Sequence, residues 1–423
     1  MNLKLSRSSV ISNKTIAITG SKSETNRLLL LKALYPEIQI ENSSNSDDSE
    51  VMQKALSNLC HTELVEVHHA GTAMRFLTAF FSMQEGKEVF LTGSSRMKER
   101  PIKILVDALQ QLGAEITYEE NEGFPPIRIK GRKITKNKVT LKADVSSQYI
   151  SALLLIAPKL ENGLELTLEG EITSVPYIKM TLALLNEIGV KTSFEKNKIN
   201  VCHAELVSAS KLIIESDWSS ASYWYSIIAL SDVGTKITLS SYKQNSLQGD
   251  SALAEIYTNF GVKTVFKEYQ IFFHKVENFK PETLNLKLDD CPDIAQTIAV
   301  TCFGLGIACE LSGLHTLKIK ETDRLEALKT ELNKLGAEIS VTNDSLSLKS
   351  NSLFVNPNSH PLEGCLKGGV ATYQDHRMAM AFAPLALKTS INIENAEVVS
   401  KSYPTFWEDL KEVGFEFSIN NKI

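Results

Sequence analysis

One spacing constrains this chain more than its composition does. An amphipathic helix followed by glycine and an extended segment occurs as DALQQLGAEI (Gly113), LALLNEIGVKT (Gly189), EIYTNFGVKT (Gly261), LKTELNKLGAEI (Gly336) and DLKEVGFEF (Gly414). Successive glycines lie 76, 72, 75 and 78 residues apart. Each reads as a helix ended by a residue able to take the left-handed conformation, with a strand behind it. Five such marks in 423 residues imply six units of about 70 residues, the first degraded near ALSNLCHTE.

A second series interleaves with the first. Polar heads run straight into apolar helices in GSKSETNRLLLLKAL, AGTAMRFLTAFF, DVSSQYISALLLIAP, SDWSSASYWYSIIAL, PDIAQTIAVTCFGLG and YQDHRMAMAFAPLAL. Helices apolar nearly all round belong in a core. Any one Ser, Thr or Asp head is an ordinary N-cap, but six in register favour a surface built from helix N-termini. Alternating segments such as TIAIT, KITLS and SLSLKS supply strands, so the chain reads as α/β with three repeats per half. The midpoint falls near 213–216, with no Pro/Gly/Ser-rich linker.

Several cations stand where a helix dipole opposes them, at a cost of roughly 0.3–1 kcal/mol each. Lys22 and Arg27 head the first buried helix and Arg75 begins the second. Arg96, Lys98 and Arg100 precede Pro101, a good first helical residue; Lys320 and Arg324 flank the start of LEALKTELNKL, and Arg377 opens MAMAFAPLAL. An anion at each place would offset the penalty, bound jointly by backbone N–H groups and guanidinium. GSKS lacks the Walker A order and no G-x-G-x-x-G is present. The pattern therefore points to small phosphorylated or carboxylated substrates. Asp293, Glu321, His376 and Lys401 are acid–base or charge candidates, each with an ordinary structural role open to it: capping, a surface ion pair, a core histidine, a loop charge.

Forty-five cations against fifty anions leave a net charge of −5, which gives no general attraction for nucleic acid or an anionic membrane. The six scattered cysteines form no C-x-x-C pair, and neither a signal core nor a membrane-length apolar run is visible. A cytoplasmic protein is expected. CHTELVEV, echoed by CHAELVSA, pairs Cys with His but matches no zinc spacing.

Together the motifs GSKSETNR, AGTAMR, LTGSSRMKERPI, SSQY, SVPY, SDWSSASY, PDIAQTIA, KETDRL, YQDHRMAM and SKSYP resemble the enolpyruvylshikimate-phosphate synthase family, in order along almost the whole chain. The resemblance implies a two-domain inverted α/β barrel fold of six repeated α/β units with the active site in the cleft. One domain would be 20–214 and the other 1–19 plus 215–423. It implies transfer of the enolpyruvyl group of phosphoenolpyruvate to the 5-hydroxyl of shikimate 3-phosphate, by addition and elimination, in a monomer without metal or cofactor.

By the same resemblance, Lys22, Ser23, Arg27, Ser146, Ser147, Gln148, Ser174, Tyr177, Asp293 and Lys320 would hold shikimate 3-phosphate. Lys22, Gly71, Arg100, Gln148, Arg324, His376, Arg377 and Lys401 would hold phosphoenolpyruvate. Asp293 is the implied proton acceptor, Glu321 the donor, and Lys22 a third catalytic group. The chain departs from the family at His69 and Thr316, where Asn is usual, and at Phe76, where Pro is common. The last change is expected to shift its helix and alter tolerance to glyphosate. A sister enzyme acting on UDP-N-acetylglucosamine is the rival, against which the cysteine-free GSSRMKERP loop counts. An inactive anion-binding repeat protein is the other.

Overall fold

The computed structural model describes residues 1–57, 63–142, 146–170, 172–205, 211–278, 281–354 and 369–419. The chain divides into two compact units, Gly20–Ile214 and Met1–Thr19 with Glu215–Ile423.

In the Gly20–Ile214 unit the longer helices are α1 (Lys22–Leu34), α2 (Asp47–Ser57), α3 (Gly71–Ser82), α4 (Lys103–Leu112), α5 (Ser147–Ile156) and α6 (Val175–Glu187). Two four-stranded sheets share one plan. Leu64–Glu66 pairs parallel with Glu88–Thr92, which pairs antiparallel with Ile127–Lys130 and that with Glu115–Tyr118. Lys138–Lys142, Leu164–Glu169, Lys198–Val201 and Thr192–Glu195 repeat it. The parallel pair is bridged by a buried helix and the hairpin follows a second helix, giving β-α-β-α-β-β.

The other unit has α7 (Trp218–Leu230), α8 (Ala295–Leu305), α9 (Arg324–Lys334) and α10 (His376–Phe382). Its sheets run Lys14–Ile16, Lys236–Ser240, Gln270–Lys275, Val262–Lys267 and Thr283–Lys287, Ala308–Ser312, Ser345–Leu348, Ile339–Val341, each parallel once and antiparallel twice. A reduced third sheet carries the plan through a parallel bridge from Val370 to Ile393, then the antiparallel strands Ile391–Ile393, Leu3–Leu5 and Phe417–Ile419.

The weak first repeat has a topological explanation. Its leading strand is Lys211–Ile213, which pairs parallel with Gln39–Glu41, while Lys14–Ile16 leads the fourth repeat. The two chain crossings exchange leading strands, so a local pattern cannot show the first unit whole.

Helices α1, α3 and α5 pack against one another in one unit, and α7, α8 and α10 do so in the other. All eleven residues of α8 are buried, which follows from an apolar surface with no polar stripe. Its hydroxyls find partners inside: Thr301 Oγ1 donates to Ser226 Oγ at 2.8 Å, and Thr297 Oγ1 lies 3.1 Å from Ser222 Oγ. Gly113, Gly189, Gly261, Gly336 and Gly414 all have φ between 70° and 107°, which explains glycine at each helix end. The segment before Gly261 is not the full helix its sequence suggests; a 3-10 turn over Tyr257–Phe260 follows one helical turn.

Among the described residues no helix is long and apolar enough to cross a membrane, and no cluster of His, Cys, Asp and Glu could hold a metal ion. Cys60, His61, Cys365 and residues 206–209 of the echoed motif lie outside the described residues. Cys202 is a free exposed thiol, and His203 Nδ1 lies 2.9 Å from the Leu160 carbonyl oxygen.

Candidate active site

The heads of four helices meet in the Gly20–Ile214 unit. Arg27, one turn into α1, is buried and held by four hydrogen bonds: Nε donates to Thr181 Oγ1 (2.8 Å), Nη1 to the Ser23 carbonyl (2.7 Å), and Nη2 to Ser151 Oγ (2.9 Å) and the Tyr177 carbonyl (3.4 Å). Its guanidinium carbon lies 5.5 Å from the Phe76 ring centre and 6.0 Å from that of Tyr177. Burial lowers its pKa to about 10, against the attraction of Tyr177 and Glu24. α3 runs unbroken through Phe76, whose buried ring covers this cation.

Arg100 lies against the start of α3. A Cβ on Gly71 would come within 2.7–2.9 Å of the Arg100 guanidinium, so a larger residue there would have to push this side chain aside. Arg100 is buried and its Nε has no hydrogen-bond partner. A buried, unsatisfied guanidinium N–H is costly unless a ligand takes it.

Arg75 departs from the expected pattern. It braces the protein, donating from Nη1 to the Gly71 carbonyl and from Nη2 to the Pro101 carbonyl, both at 3.1 Å, while the Tyr149 hydroxyl donates to Pro101 at 2.6 Å. These bonds fix the backbone beside Arg100. Pro101 does not open α4, which starts at Lys103 after Ile102. Arg96 and Lys98 form exposed pairs with Glu99 and Glu120 instead of an anion site.

Lys22 Nζ lies 3.3 Å from Asp48 Oδ2, and His69 Nε2 3.6 Å from Asp48 Oδ1, so one buried carboxylate faces both. Ser146 caps α5 by accepting from Gln148 N (3.4 Å), Ser147 is buried beside it, and Gln148 Nε2 donates to Thr72 Oγ1 (3.2 Å) on α3. Ser174 precedes α6 at φ 54°, a left-handed conformation unusual for serine, and is buried.

In the other unit Asp293 sits in a 3-10 turn and makes no capping bond. Its Oδ1 accepts from Arg324 Nη1 (2.8 Å) and pairs with Lys320 Nζ (3.3 Å); Oδ2 accepts from Arg377 Nη2 (3.3 Å). Burial pushes this carboxyl up, but Lys320, Arg377 and Arg324 outweigh it and hold it well below the usual range. Lys320 is shifted down by burial, with Arg324 and Arg377 adding to it and Asp293 opposing.

Arg324 opens α9, against its dipole, and is 2% exposed. Carboxylates offset the penalty: Nε donates to Asp375 Oδ2 (2.6 Å), Nη2 to Glu321 Oε2 (2.8 Å) and Nη1 to Asp293. Burial lowers its pKa, yet those carboxylates carry it above the usual arginine value. Asp375 also caps α10, accepting from Arg377 N at 2.8 Å, and His376 is buried at the helix's first position. Lys401 Nζ donates to the Gln374 carbonyl (2.7 Å), just before that cap.

Lys320, Glu321, Arg324, Asp293 and Arg377 thus form one cluster, with Lys401 bonded to the approach to α10. Sequence reasoning missed Asp48, Asp375, Ser151 and Thr181. Asp375 stands directly before His376–Arg377 and could have been read as their cap; Ser151 and Thr181 carry no local signal, because only tertiary packing brings them to Arg27.

The EPSP synthase (3-phosphoshikimate 1-carboxyvinyltransferase) family model matches residues 61–410. A 3-phosphoshikimate 1-carboxyvinyltransferase of Bacteroides fragilis is 45% identical over 410 residues, covering 96% of this chain and 97% of the relative. One from Haemophilus influenzae is 35% identical over 431 residues, covering 94% and 96%. An EPSP synthase structure from Acinetobacter baumannii aligns over 99% of this chain and 100% of its own, with TM-score 0.77 and 19% identity, a likeness of fold. A family model across most of the sequence and near-complete relatives agree, and the chain belongs to the EPSP synthase family.

Proposed function

We propose that the two residue sets divide the work of one reaction, with the Arg27 set reading shikimate 3-phosphate and the Arg324–Arg377 set reading phosphoenolpyruvate. The enzyme transfers the enolpyruvyl group of phosphoenolpyruvate to shikimate 3-phosphate and releases phosphate. In this reading the acceptor is the 5-hydroxyl. Its oxygen bonds C2 of phosphoenolpyruvate as C3 gains a proton; C2 then loses phosphate as C3 gives a proton back. Asp293 takes the hydroxyl proton and Glu321 serves C3, with Lys22 as a third charged group. Ser23, Ser146, Ser147, Gln148, Ser174, Tyr177 and Lys320 complete the shikimate 3-phosphate contacts. Lys22, Gly71, Arg100, Gln148, His376 and Lys401 complete those to phosphoenolpyruvate.

One observation carries this reading: Asp293 is ringed by three cations. A carboxylate so held is too weak a base while it shares with Glu321 and Asp375 the task of answering their charge. A phosphate and a carboxylate arriving on Arg324 and Arg377 draw that charge away and raise the proton affinity of Asp293 when the substrate is present. The same reading has the enzyme acting as a cytoplasmic monomer on small anions, without nucleic acid. The test is phosphate release from phosphoenolpyruvate with shikimate 3-phosphate, against UDP-N-acetylglucosamine. Release with the first alone is expected; release with the sugar nucleotide, or none at all, overturns the proposal.

A further inference from the structure

Arg377 is held on its far edge by groups that the reaction scheme does not use. Its Nη2 donates to Ser219 Oγ at 3.1 Å as well as to Asp293, while its buried Nε has no hydrogen-bond partner. Ser219, in the first turn of α7, donates its own proton to Asp250 Oδ2 in a short contact. A hydroxyl has one proton. With that proton committed to Asp250, the oxygen's lone pair faces Arg377.

Asp250 is 2% exposed and its Oδ1 has no hydrogen-bond partner, so ordinary solvation does not explain it. Its support is rigid. It lies in the 3-10 turn Gly249–Ala252 directly after Gln248, whose Oε1 accepts from Trp218 N and whose Nε2 donates to the Ser216 carbonyl, both at 2.9 Å. Glu215 braces the same corner, accepting from Trp218 Nε1 (2.7 Å), Lys243 N (2.8 Å) and Ser246 Oγ (2.6 Å).

We propose that Asp250 is a positioning residue for the reaction: by fixing the Ser219 hydroxyl as an acceptor, it holds Nη2 of the Arg377 guanidinium between Ser219 and Asp293 and so sets the orientation in which that cation meets the anionic donor substrate. The inference rests on Arg377 reading phosphoenolpyruvate. Charge supports the geometry. The carboxylate attracts Arg377, and protonating it would free the Ser219 hydroxyl to turn its hydrogen toward the guanidinium. Burial raises the Asp250 pKa to about 6, with Arg377 pulling it down and Asp293 and Asp217 pushing it up; the Cys291 thiol also feels the Asp250 charge. Protonation therefore falls within an accessible pH range.

The test compares Asp250→Asn, Ser219→Ala and Arg377→Met in steady-state kinetics, varying each substrate in turn. Asp250→Asn is expected to raise KM for phosphoenolpyruvate roughly tenfold, with KM for shikimate 3-phosphate within about twofold and no loss of melting temperature. Ser219→Ala is expected to raise it roughly threefold, and it carries the test should Asp250→Asn fail to fold. In the wild type this KM rises as pH falls through about 6 relative to Asp250→Asn, in which the substrate's own phosphate titration is unchanged. Equal shifts in both KM values, or none in either variant, overturn the inference. If Arg377→Met leaves phosphoenolpyruvate binding intact, the reading of Arg377 itself fails, a different result from Asp250 alone proving silent.

Discussion

The two cation sets are built on opposite principles. Arg27 is held by hydroxyls, carbonyls and two aromatic rings, none of which cancels its charge. Arg324 and Arg377 are held by Asp293, Glu321 and Asp375, which do. A cation hydrogen-bonded only to neutral groups, with Glu24 attracting it from nearby, keeps more of its charge for an arriving anion, whereas a cation already paired must exchange one carboxylate for another. The first design suits tight binding. The second couples binding to the protonation of the carboxylate it displaces.

Removing the displaced group should give the largest effect. Asp293→Ala is expected to lower kcat by about 10²–10⁴-fold while phosphoenolpyruvate binds as well or more tightly, because its competitor is gone. Near-normal turnover would make Asp293 a spectator ion. Next comes Arg100→Ala, expected to weaken phosphoenolpyruvate binding by about 2–5 kcal/mol and shikimate 3-phosphate by much less; calorimetric titration with each ligand reads the difference, and equal losses would undo the division of labour.

Asp250 sharpens the comparison through stability. Its pKa is raised by burial from 3.8 to about 6, so the folded state binds the proton more tightly than the unfolded chain. Stability is then fully present below pH 3.8 and is lost as pH rises through about 6, by about 3 kcal/mol. Asp250→Asn should consequently melt higher than wild type at pH 8, with the gap closing toward pH 4. A gap independent of pH would show that the carboxyl is not strained by its burial. The smallest effect is expected around Arg27: Phe76→Leu removes a ring from it and should cost about 0.5–1 kcal/mol of shikimate 3-phosphate affinity, with phosphoenolpyruvate unaffected.

The repeat was legible because five of the six units end a helix on a glycine with positive φ, a constraint the backbone imposes wherever that turn occurs. Six buried helices were legible for a similar reason, since an all-round apolar helix has only one place to go. The exchange of leading strands was not, because Lys211–Ile213 and Lys14–Ile16 are ordinary short strands whose partners are chosen by tertiary contact. At the site, Lys320, Arg324 and Arg377 stood out as cations opposing helix dipoles. Arg75, Arg96 and Lys98 carried the same mark and serve otherwise, one as a brace and two in surface pairs. Charge at a helix head narrows the candidates. Which carboxylates or hydroxyls answer it depends on residues scattered from Asp48 to Asp375.

The exchange at Asp293 is tested most directly by following its side-chain carboxyl by carbon-13 resonance, assigned against Asp293→Asn, across pH 4–9 with and without phosphoenolpyruvate. The account predicts an ionised carboxylate with no titration in the free protein and a titration step within that range once the substrate is bound. A step in the free protein, or a carboxylate untouched by the substrate, would contradict it.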